Sequence, residues 1–300
     1  TPFPNVDTNA VILLIRNTKP AKTIHWVTVN QADSYELSNF VQSDFKRINY
    51  STLEITEREL SEALETGLSR PEQNNCDFKY RLCDFAKVMR GIATGANDFF
   101  FMTQQKADEL NIPNEFLKSA IGRTRDVCGD KITTEDIRRL EEQHRPTLLF
   151  SINGNENIPE SVYNYIKEGE KSGLPNRPLI KQRKPWYKME QREVPPILFA
   201  YLGRRNLRFI RNQAGILPLT SFLCVYPICS DDTYIHNLWQ ALNHPETIKN
   251  LKLVGKSYGS GAIKVEPRSL DKIPIPDHIV EQYHLRQRCE NKHKQSELFG

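Results

Sequence analysis

The longest uninterrupted aliphatic run in the chain is AVILLI, at residues 10 to 15. It falls far short of the roughly 18 apolar residues that a membrane-spanning helix needs, so the sequence predicts no membrane span. A short run of β-branched residues and leucine is typical instead of a strand that is buried on both faces of a parallel sheet. We therefore predict a buried strand from Val11 to Ile15, as part of an α/β unit.

The 300 residues, of which 38% are hydrophobic, are enough for two domains, because typical domains contain about 100 to 200 residues. The most linker-like stretch is SRPEQNN, at 69 to 75, and it predicts a boundary there. Before this boundary, the sequence predicts a second strand at 23 to 29 and a short amphipathic helix at 54 to 67. After it, the pattern favours an irregular α+β domain with short strands, short helices and polar loops.

Capping residues and hydrophobic patterns predict the main elements of this second domain. The predicted helices lie at 133 to 144, 159 to 173 and 231 to 244, the predicted strands at 195 to 203, 207 to 212 and 221 to 228, and a polar C-terminal helix at 277 to 293. The stretch GIATGANDFFFM, at 91 to 102, predicts a glycine turn that leads into a buried strand formed by FFFM.

Cysteine and histidine spacing argues against a metal site. The six cysteines include no Cys-x-x-Cys pair, and the seven histidines are scattered, whereas zinc sites typically draw on closely spaced ligands. We expect free thiols in a reducing cytoplasm. The chain begins TPFPNV, without an initiator methionine or a secretory signal. It therefore has the features expected of a fragment of a longer cytoplasmic protein.

Positive charge is concentrated between Arg177 and Arg211. Ten lysines and arginines against two glutamates give this segment +8, and because the whole chain carries +4, the remainder carries −4. Basic residues interleaved with Trp186 and Tyr187 are typical of a nucleic-acid surface, since cations neutralise phosphates while aromatic rings pack on sugars or bases. The alternative is a solvated basic face whose aromatic residues belong to the core.

Two glycine-rich stretches depart from the phosphate-binding patterns that they partly match. RGIATGANDFF lacks the glycine spacing of a dinucleotide loop, and LVGKSYGSGAIK has Asn250 where a nucleotide-hydrolysing loop needs its first glycine. We therefore predict neither cofactor binding nor nucleotide hydrolysis there. Glycines in the second stretch allow close approach of the backbone to a nucleic-acid phosphate, with a flexible turn as the alternative. Its candidate contacts are Lys256, Tyr258 and Lys264.

No catalytic constellation is visible, so the residues by themselves indicate a nucleic-acid-binding domain. Four successive blocks, however, resemble the C-terminal half of TaqI-type N6-adenine DNA methyltransferases of bacterial restriction-modification systems. The blocks are PFPNVDTNAVILLIRN, LCDFAKVMRGIATGANDFFFM, the basic stretch from Asn176 to Gly215, and KSYGSGAIKVEPRSLDKIPIPD. They follow the family's order and span roughly residues 1 to 277.

The resemblance implies a division of labour within a longer protein. In that family an N-terminal Rossmann-like domain binds S-adenosylmethionine and carries an Asn-Pro-Pro-Tyr motif, while a C-terminal target-recognition domain reads the DNA. Neither the donor-binding loop nor that motif occurs here. The resemblance thus implies residues 1–72 as the α/β remnant of a Rossmann-like methyltransferase sheet, 73–277 as an irregular α+β DNA target-recognition domain, and 278–300 as a C-terminal helix or tail.

The function implied is sequence-specific DNA recognition within an adenine-N6 DNA methyltransferase. The parent protein would use S-adenosylmethionine, and the fragment alone would bind no cofactor and be inactive. The implied partners are double-stranded DNA and a restriction endonuclease domain or subunit, with no membrane, in the bacterial cytoplasm at the nucleoid. Two other classes stay open: the specificity subunit of a multi-subunit restriction system, and a protein-interaction domain whose basic face is solvated.

Candidate DNA contacts follow from the charge pattern and the resemblance together. The resemblance places Phe3 where an aromatic ring stacks on the extruded adenine, which replaces the stacking that the base had in the duplex. It also places Thr94 and Asn97 in a turn near the DNA. The remaining candidates come from the basic stretch and are Lys181, Arg183, Lys184, Trp186, Tyr187, Arg204, Arg205, Arg208 and Arg211.

Overall fold

Two compact units, Thr1–Asp77 and Phe78–Gly300, make up the chain. The computed structural model describes residues 12–15, 17–31, 33–46, 49–61, 63, 78–153, 157–200, 202–203, 207–257 and 263–285. In these ranges, no helix has both the length and the apolar character needed to cross a lipid bilayer.

The first unit contains an antiparallel strand pair and a helix. Strand β1 (Thr23–Val29) confirms the strand predicted at 23 to 29, and it pairs with β2 (Leu53–Glu59) over its full length. Helix α1 (Ser34–Gln42) lies between them in sequence. It begins at Asp33, whose carboxylate accepts hydrogen bonds from the first-turn amides, as an N-cap does.

The helix predicted at 54 to 67 is confirmed only in part, and the strand predicted from Val11 to Ile15 is wrong. Leu60, Ser61 and Ala63 are helical, and residues 64 to 67 lie outside the described ranges. Residues 54 to 59 form strand β2 instead, because pairing with β1 supplies their backbone hydrogen bonds and their β-branched residues suit a pleated strand. Residues 12 to 15 belong to no strand and are exposed, with Ile12 at 85%. A buried parallel strand needs neighbours at both edges, and in the part of the unit that the structure describes none lies beside this run. Val11 lies outside that part.

The second unit is built from short strands and helices. Its strands are, in chain order, β3 (Tyr80–Arg81), β4 (Ala86–Arg90), β5 (Phe101–Met102), β6 (Leu117–Ile121), β7 (Lys131–Ile132), β8 (Leu148–Phe150), β9 (Ile197–Ala200), β10 (Leu202–Gly203), β11 (Phe209–Asn212), β12 (Leu217–Pro218), β13 (Phe222–Pro227), β14 (Lys256–Ser257), β15 (Ile263–Lys264) and β16 (Pro274–Ile275). Its helices are α2 (Asn97–Phe100), α3 (Gln104–Glu109), α4 (Thr134–Glu142), α5 (Glu160–Lys171), α6 (Asp232–Asn243), α7 (Pro245–Val254), α8 (Pro267–Leu270) and α9 (Asp277–Gln282).

Two sheets organise this unit. The larger has the order β4-β13-β9-β11-β7 and is antiparallel except for its last pair, and the smaller has the order β12-β6-β8-β5. Strand β9 is buried on both faces: Phe199 belongs to one apolar cluster with α6, and Leu198 to another with α4. Successive side chains of a strand point to opposite faces, so two-sided burial explains why this strand reads as the unbroken run ILFA.

Most predictions for this unit are confirmed. The helices predicted at 133 to 144, 159 to 173 and 231 to 244 correspond to α4, α5 and α6, and the three predicted strand regions contain β9 with β10, β11 and β13. Of the C-terminal helix predicted at 277 to 293, α9 confirms residues 277 to 282, but the helix ends at Tyr283, its C-cap. Residues after 285 lie outside the described ranges.

The strand predicted for FFFM is only half right. Phe99 and Phe100 lie in α2, and the strand begins at Phe101. Both of their amides donate to the carbonyl of Ala96, which forms a helical turn. This turn buries Phe99 and Phe100 in the same apolar cluster, whereas an extended backbone would send them to opposite faces.

Candidate nucleic-acid interface

The basic segment from Arg177 to Arg192 crosses the second unit without forming a helix or a strand. It is held in place through its backbone. The amide of Met189 donates to the carbonyl of Ile152 at 2.8 Å, and Lys188 and Ile152 form an isolated parallel bridge. The segment is therefore held by hydrogen bonds to the residues that follow β8 of the smaller sheet, and it forms no strand itself.

Arg183 joins this segment to the glycine turn. One of its terminal nitrogens donates to the carbonyls of Ala93 at 2.6 Å and Thr94 at 2.9 Å. The guanidinium lies 5.5 Å from the centre of the Phe100 ring, and partial burial lowers its pKa. These contacts give the predicted phosphate ligand Arg183 a structural role within the protein.

The predicted turn residues are also used within the fold. Thr94 is only 2% exposed, and its hydroxyl donates to Asn97 Oδ1 at 2.5 Å while it accepts from the amide of Ala96 at 3.2 Å. Gly95 has φ +78°, a conformation that favours glycine. Of the two candidates, Asn97 is the exposed one.

Arg208 and Arg211 likewise have partners inside the protein. Arg208 donates to the carbonyls of Gly129 at 2.8 Å and Val127 at 2.6 Å. Arg211 is 9% exposed, donates to the carbonyl of Pro196 at 3.0 Å and forms an ion pair with Asp232. Charge in a sequence does not distinguish an arginine that crosslinks loops from one that faces solvent.

The two aromatic candidates pack at the edge of the core. The ring of Trp186 lies 5.7 Å from Phe99 and 5.8 Å from Tyr187, centre to centre, and its indole N–H donates to Glu170 at 3.2 Å. A Cβ on Gly169 would stand 2.5 Å from the Trp186 ring. This close packing holds the Trp186 ring against Gly169 of α5 and Phe99 of α2, and so fixes this part of the basic segment on the core.

The lysines of the segment face outward. Lys181 and Lys184 are exposed and Lys188 is half-buried, and in the described ranges none of the three forms an ion pair. An open cleft of about 380 Å³ lies beside them, and its lining atoms are mainly carbon. Its lining residues are Asn153, Arg183, Lys184, Lys188, Met189, Glu190 and Gln191.

Gln191 is held in one orientation at this cleft. Its amide nitrogen donates to the hydroxyl of Ser151 and to the carbonyl of Met189, each at 3.2 Å. Arg192, next in the chain, forms an ion pair with Glu190 and donates to the carbonyl of Arg90. Because Arg192 neutralises Glu190, the charge of the cleft is set by its cations, Arg183, Lys184 and Lys188.

Sequence reasoning missed a second basic element, the loop from Gly122 to Lys131. Arg123 and Arg125 are exposed, flank the start of a single turn of 3-10 helix, Thr124–Asp126, and form no ion pair in the described ranges. Asp126 pairs with Arg145 at 2.7 Å, and Arg208 holds the rest of the loop. The sequence GRTRD, which places two arginines directly after strand β6, would have indicated this basic loop.

The other sequence candidates are described incompletely. Lys264 pairs with Glu266 at 2.9 Å, and Lys256 lies in β14, although its side chain is outside the described set. Four candidates lie outside the described residues altogether: Phe3, Arg204, Arg205 and Tyr258. No group of three or more histidine, cysteine or acidic side chains able to hold a metal ion occurs in the described part of the chain.

Comparisons with known proteins agree with the resemblance in the sequence. Residues 71–299 match the family model "Type II methyltransferase M.Eco57I, C-terminal domain". The Type II methyltransferase M.AccI of Acinetobacter calcoaceticus is 34% identical over 205 residues, which are 67% of this chain but only 38% of M.AccI. The chain thus spans well under half the length of that relative.

Two solved structures share a limited likeness. The type IIG restriction endonuclease BpuSI has 13% identity and a TM-score of 0.43 over 89% of this chain and 35% of its own. The type IIL restriction-modification enzyme MmeI, solved in complex with DNA, has 12% identity and a TM-score of 0.46 over 69% and 27%. Both scores are below 0.5, so nothing about function is drawn from either likeness. The family model covers most of the chain, and the chain therefore belongs to the family of the C-terminal domain of Type II methyltransferase M.Eco57I.

Proposed function

We propose that this chain is the DNA-recognition part of an adenine-N6 DNA methyltransferase of a restriction-modification system. Residues 73–277 read the DNA sequence, residues 1–72 complete the catalytic domain, and residues 278–300 form a C-terminal helix or tail. Membership of a methyltransferase C-terminal family supports this proposal, as does the 34% identity to M.AccI. Association with a nuclease domain or subunit, and action in the cytoplasm at the nucleoid, belong to the same proposal.

The observation that carries the DNA-binding part is that the cations between Arg177 and Arg211 fall into two groups. Arginines such as Arg183 and Arg211 hold protein carbonyls, whereas Lys181 and Lys184 point to solvent without an ion pair in the described ranges. Phosphate contacts position a protein on the duplex and dominate its affinity. An ordered backbone with outward lysines beside an open cleft fits that requirement.

S-adenosylmethionine belongs to the parent protein in this proposal, because the residues that the structure describes offer no loop that fits the cofactor. The stretch that most resembles a cofactor loop packs on protein instead: a Cβ on Gly91 would stand 2.2 Å from the carbonyl oxygen of Leu219, and one on Gly95 would stand 2.9 Å from Ile180. No donor-binding loop or Asn-Pro-Pro-Tyr motif occurs in the sequence. No step of methyl transfer is assigned to this chain, and we expect it to transfer no methyl group by itself.

The test is fluorescence anisotropy of the chain with random DNA duplexes over a range of salt concentrations, followed by selection and sequencing of the bound duplexes. We expect one short motif to be enriched. The double variant Lys181→Ala, Lys184→Ala should flatten the slope of log K against log salt by about two, because each neutralised phosphate accounts for roughly 0.9 of that slope. Lys249→Ala with Lys272→Ala removes the same charge from other exposed positions and is the control.

Besides a selection that enriches no motif, three outcomes would contradict the proposal. Absence of salt-dependent binding would favour a protein-interaction domain with a solvated basic face. An equal change of slope in both double variants would show that only net charge matters. Measurable methyl transfer by the isolated chain, followed with labelled S-adenosylmethionine, would show that the active site is present after all.

A further inference from the structure

Gln191 is oriented so that it offers only an acceptor to solvent. Its side-chain nitrogen has two N–H groups, and they are directed to the Ser151 hydroxyl and the Met189 carbonyl. An amide rotated by 180° would place its oxygen against the carbonyl oxygen of Met189, and two acceptors do not bond. The orientation is therefore set by the network, and these two bonds leave Oε1 of the exposed Gln191 side chain as its acceptor for a ligand.

The backbone around Gln191 is held on both sides. On one side the amide of Met189 donates to Ile152 at 2.8 Å, and on the other the hydroxyl of Tyr226 donates to the carbonyl of Glu193 at 3.0 Å. Recognition residues work best when their geometry is set before binding, since little conformational freedom is then given up on association. Gln191 combines a fixed backbone, a fixed amide and an exposed position.

The surroundings of Gln191 suit a nucleotide. The cleft that it lines also has Lys184 and Lys188, which supply positive charge at its edge, and its mainly carbon lining offers an apolar surface. A nucleotide presents matching groups: a charged phosphate, an apolar sugar and a polar base edge. A lone hydrogen-bond acceptor reads a base that presents a donor, and in the major groove the base donors are the amino groups N6 of adenine and N4 of cytosine.

We propose that Gln191 is a specificity-determining residue whose Oε1 accepts a hydrogen bond from the exocyclic amino group of adenine or cytosine. Lys184 and Lys188 hold the neighbouring phosphate. This inference rests on the proposed function and deepens it, because it names the residue and the chemical group that it reads. It requires one position of the recognition motif to favour adenine or cytosine over guanine and thymine on the contacted strand.

The test repeats the selection of random duplexes with the intact chain and three variants. Gln191→Ala and the similarly sized Gln191→Met both remove the acceptor, and Gln182→Ala is the matched control from an exposed glutamine of the same segment. We expect the preference at one motif position to fall roughly fivefold in the first two variants, as for a net hydrogen bond, and to persist in Gln182→Ala. The salt slope should stay unchanged in Gln191→Ala, Gln191→Met and Gln182→Ala, because these variants remove no positive charge that faces a phosphate.

Failure of this inference is distinguishable from failure of the proposed function. If the intact chain enriches no motif, the proposed function fails. If it enriches a motif that the two acceptor-free variants, shown to be folded by their melting temperatures, reproduce unchanged, the inference is wrong. It is equally overturned if the intact chain binds just as tightly to a duplex in which the adenine or cytosine at that position is replaced by a base analogue without the exocyclic amino group.

Discussion

Gly91 is a residue at which two backbones of the second unit approach closely. Its amide donates to the carbonyl of Phe222 at 3.0 Å, and a Cβ would stand 2.2 Å from the carbonyl oxygen of Leu219. Real Cβ atoms do not approach a carbonyl so closely, so any side chain here forces the neighbouring backbone apart. The close packing of two backbones therefore explains Gly91, although the stretch around it resembles a ligand-binding loop.

We expect Gly91→Ala to lower the free energy of unfolding by about 1–3 kcal/mol, as overpacking in a dense core does. Denaturant unfolding followed by circular dichroism measures it. Gly129→Ala is the control, since a Cβ there meets nothing closer than an atom at 4.0 Å. Equal stability of the two variants would show that the strands at Gly91 separate without cost.

Glu36 illustrates how one carboxylate can order a loop. Ser51 and Thr52 each donate to it through the hydroxyl and the backbone amide, at distances from 2.5 to 3.0 Å. These bonds, those of the Ser51 hydroxyl first, lower the pKa of Glu36 from 4.5 to about 2. A carboxyl group with a lowered pKa contributes stability above its ordinary pKa and loses it as the pH falls through the lowered value.

An NMR titration of the Glu36 carboxyl carbon should therefore give a pKa of about 2. The variant Glu36→Gln should be less stable than the intact chain at neutral pH, and this difference should shrink as the pH falls from about 4.5 to about 2. A normal pKa, or a difference in stability that does not depend on pH, would contradict the hydrogen-bonded arrangement.

Among the elements, the loop from Gly122 to Lys131 is the clearest addition that the structure makes to the basic surface. Arg208 and Arg145 hold it from inside, and Arg123 and Arg125 face solvent. An arginine pair on a loop that is held in this way can contact phosphates without first becoming ordered. We therefore infer that the loop adds to the DNA affinity.

The double variant Arg123→Ala, Arg125→Ala should weaken binding for every DNA sequence and reduce the salt slope by about two. Anisotropy titration at several salt concentrations measures this effect. The control is Arg138→Ala with Lys87→Ala, at two other exposed positions. An unchanged slope in the first variant would remove the loop from the interface.

The elements also show where sequence patterns suffice. Helix α4 was predictable because its capping box, formed by Thr133 and Asp136, and its buried face are both local features. Strand β2 was not, since its partner β1 lies more than twenty residues away and overrides the helical pattern read from Leu60, Leu64 and Gly67. The same limit applies to the site: clustered charge located the basic segment, but only the fold shows that Arg211 is inside and Lys184 outside.

For the molecule as a whole, the division after Asp77 has an energetic basis. All buried members of the three large apolar clusters of the second unit come from residues 82 to 285. A unit with its own hydrophobic core is expected to fold independently. Most of the described candidate contacts belong to the basic segment and the 122–131 loop, and both lie within this unit.

We accordingly expect residues 78–300, produced alone, to unfold in one cooperative transition and to keep the DNA preference of the full chain. Calorimetry and the duplex selection check the two parts of this prediction. An aggregated or unfolded product would show that the first unit contributes to the stability of the second. Loss of preference in a well-folded product would show that the first unit takes part in reading the DNA.

The backbone around Gln191 is held by hydrogen bonds of neighbouring residues and not by its own side chain, and this has a consequence for evolution. Its backbone is held through Met189 and Glu193, so the scaffold does not depend on which side chain occupies position 191. If Gln191 reads a base as we propose, a single nucleotide change in the gene alters the preferred DNA base and leaves these two backbone bonds in place. Such a position would let a lineage acquire a new target sequence in one step.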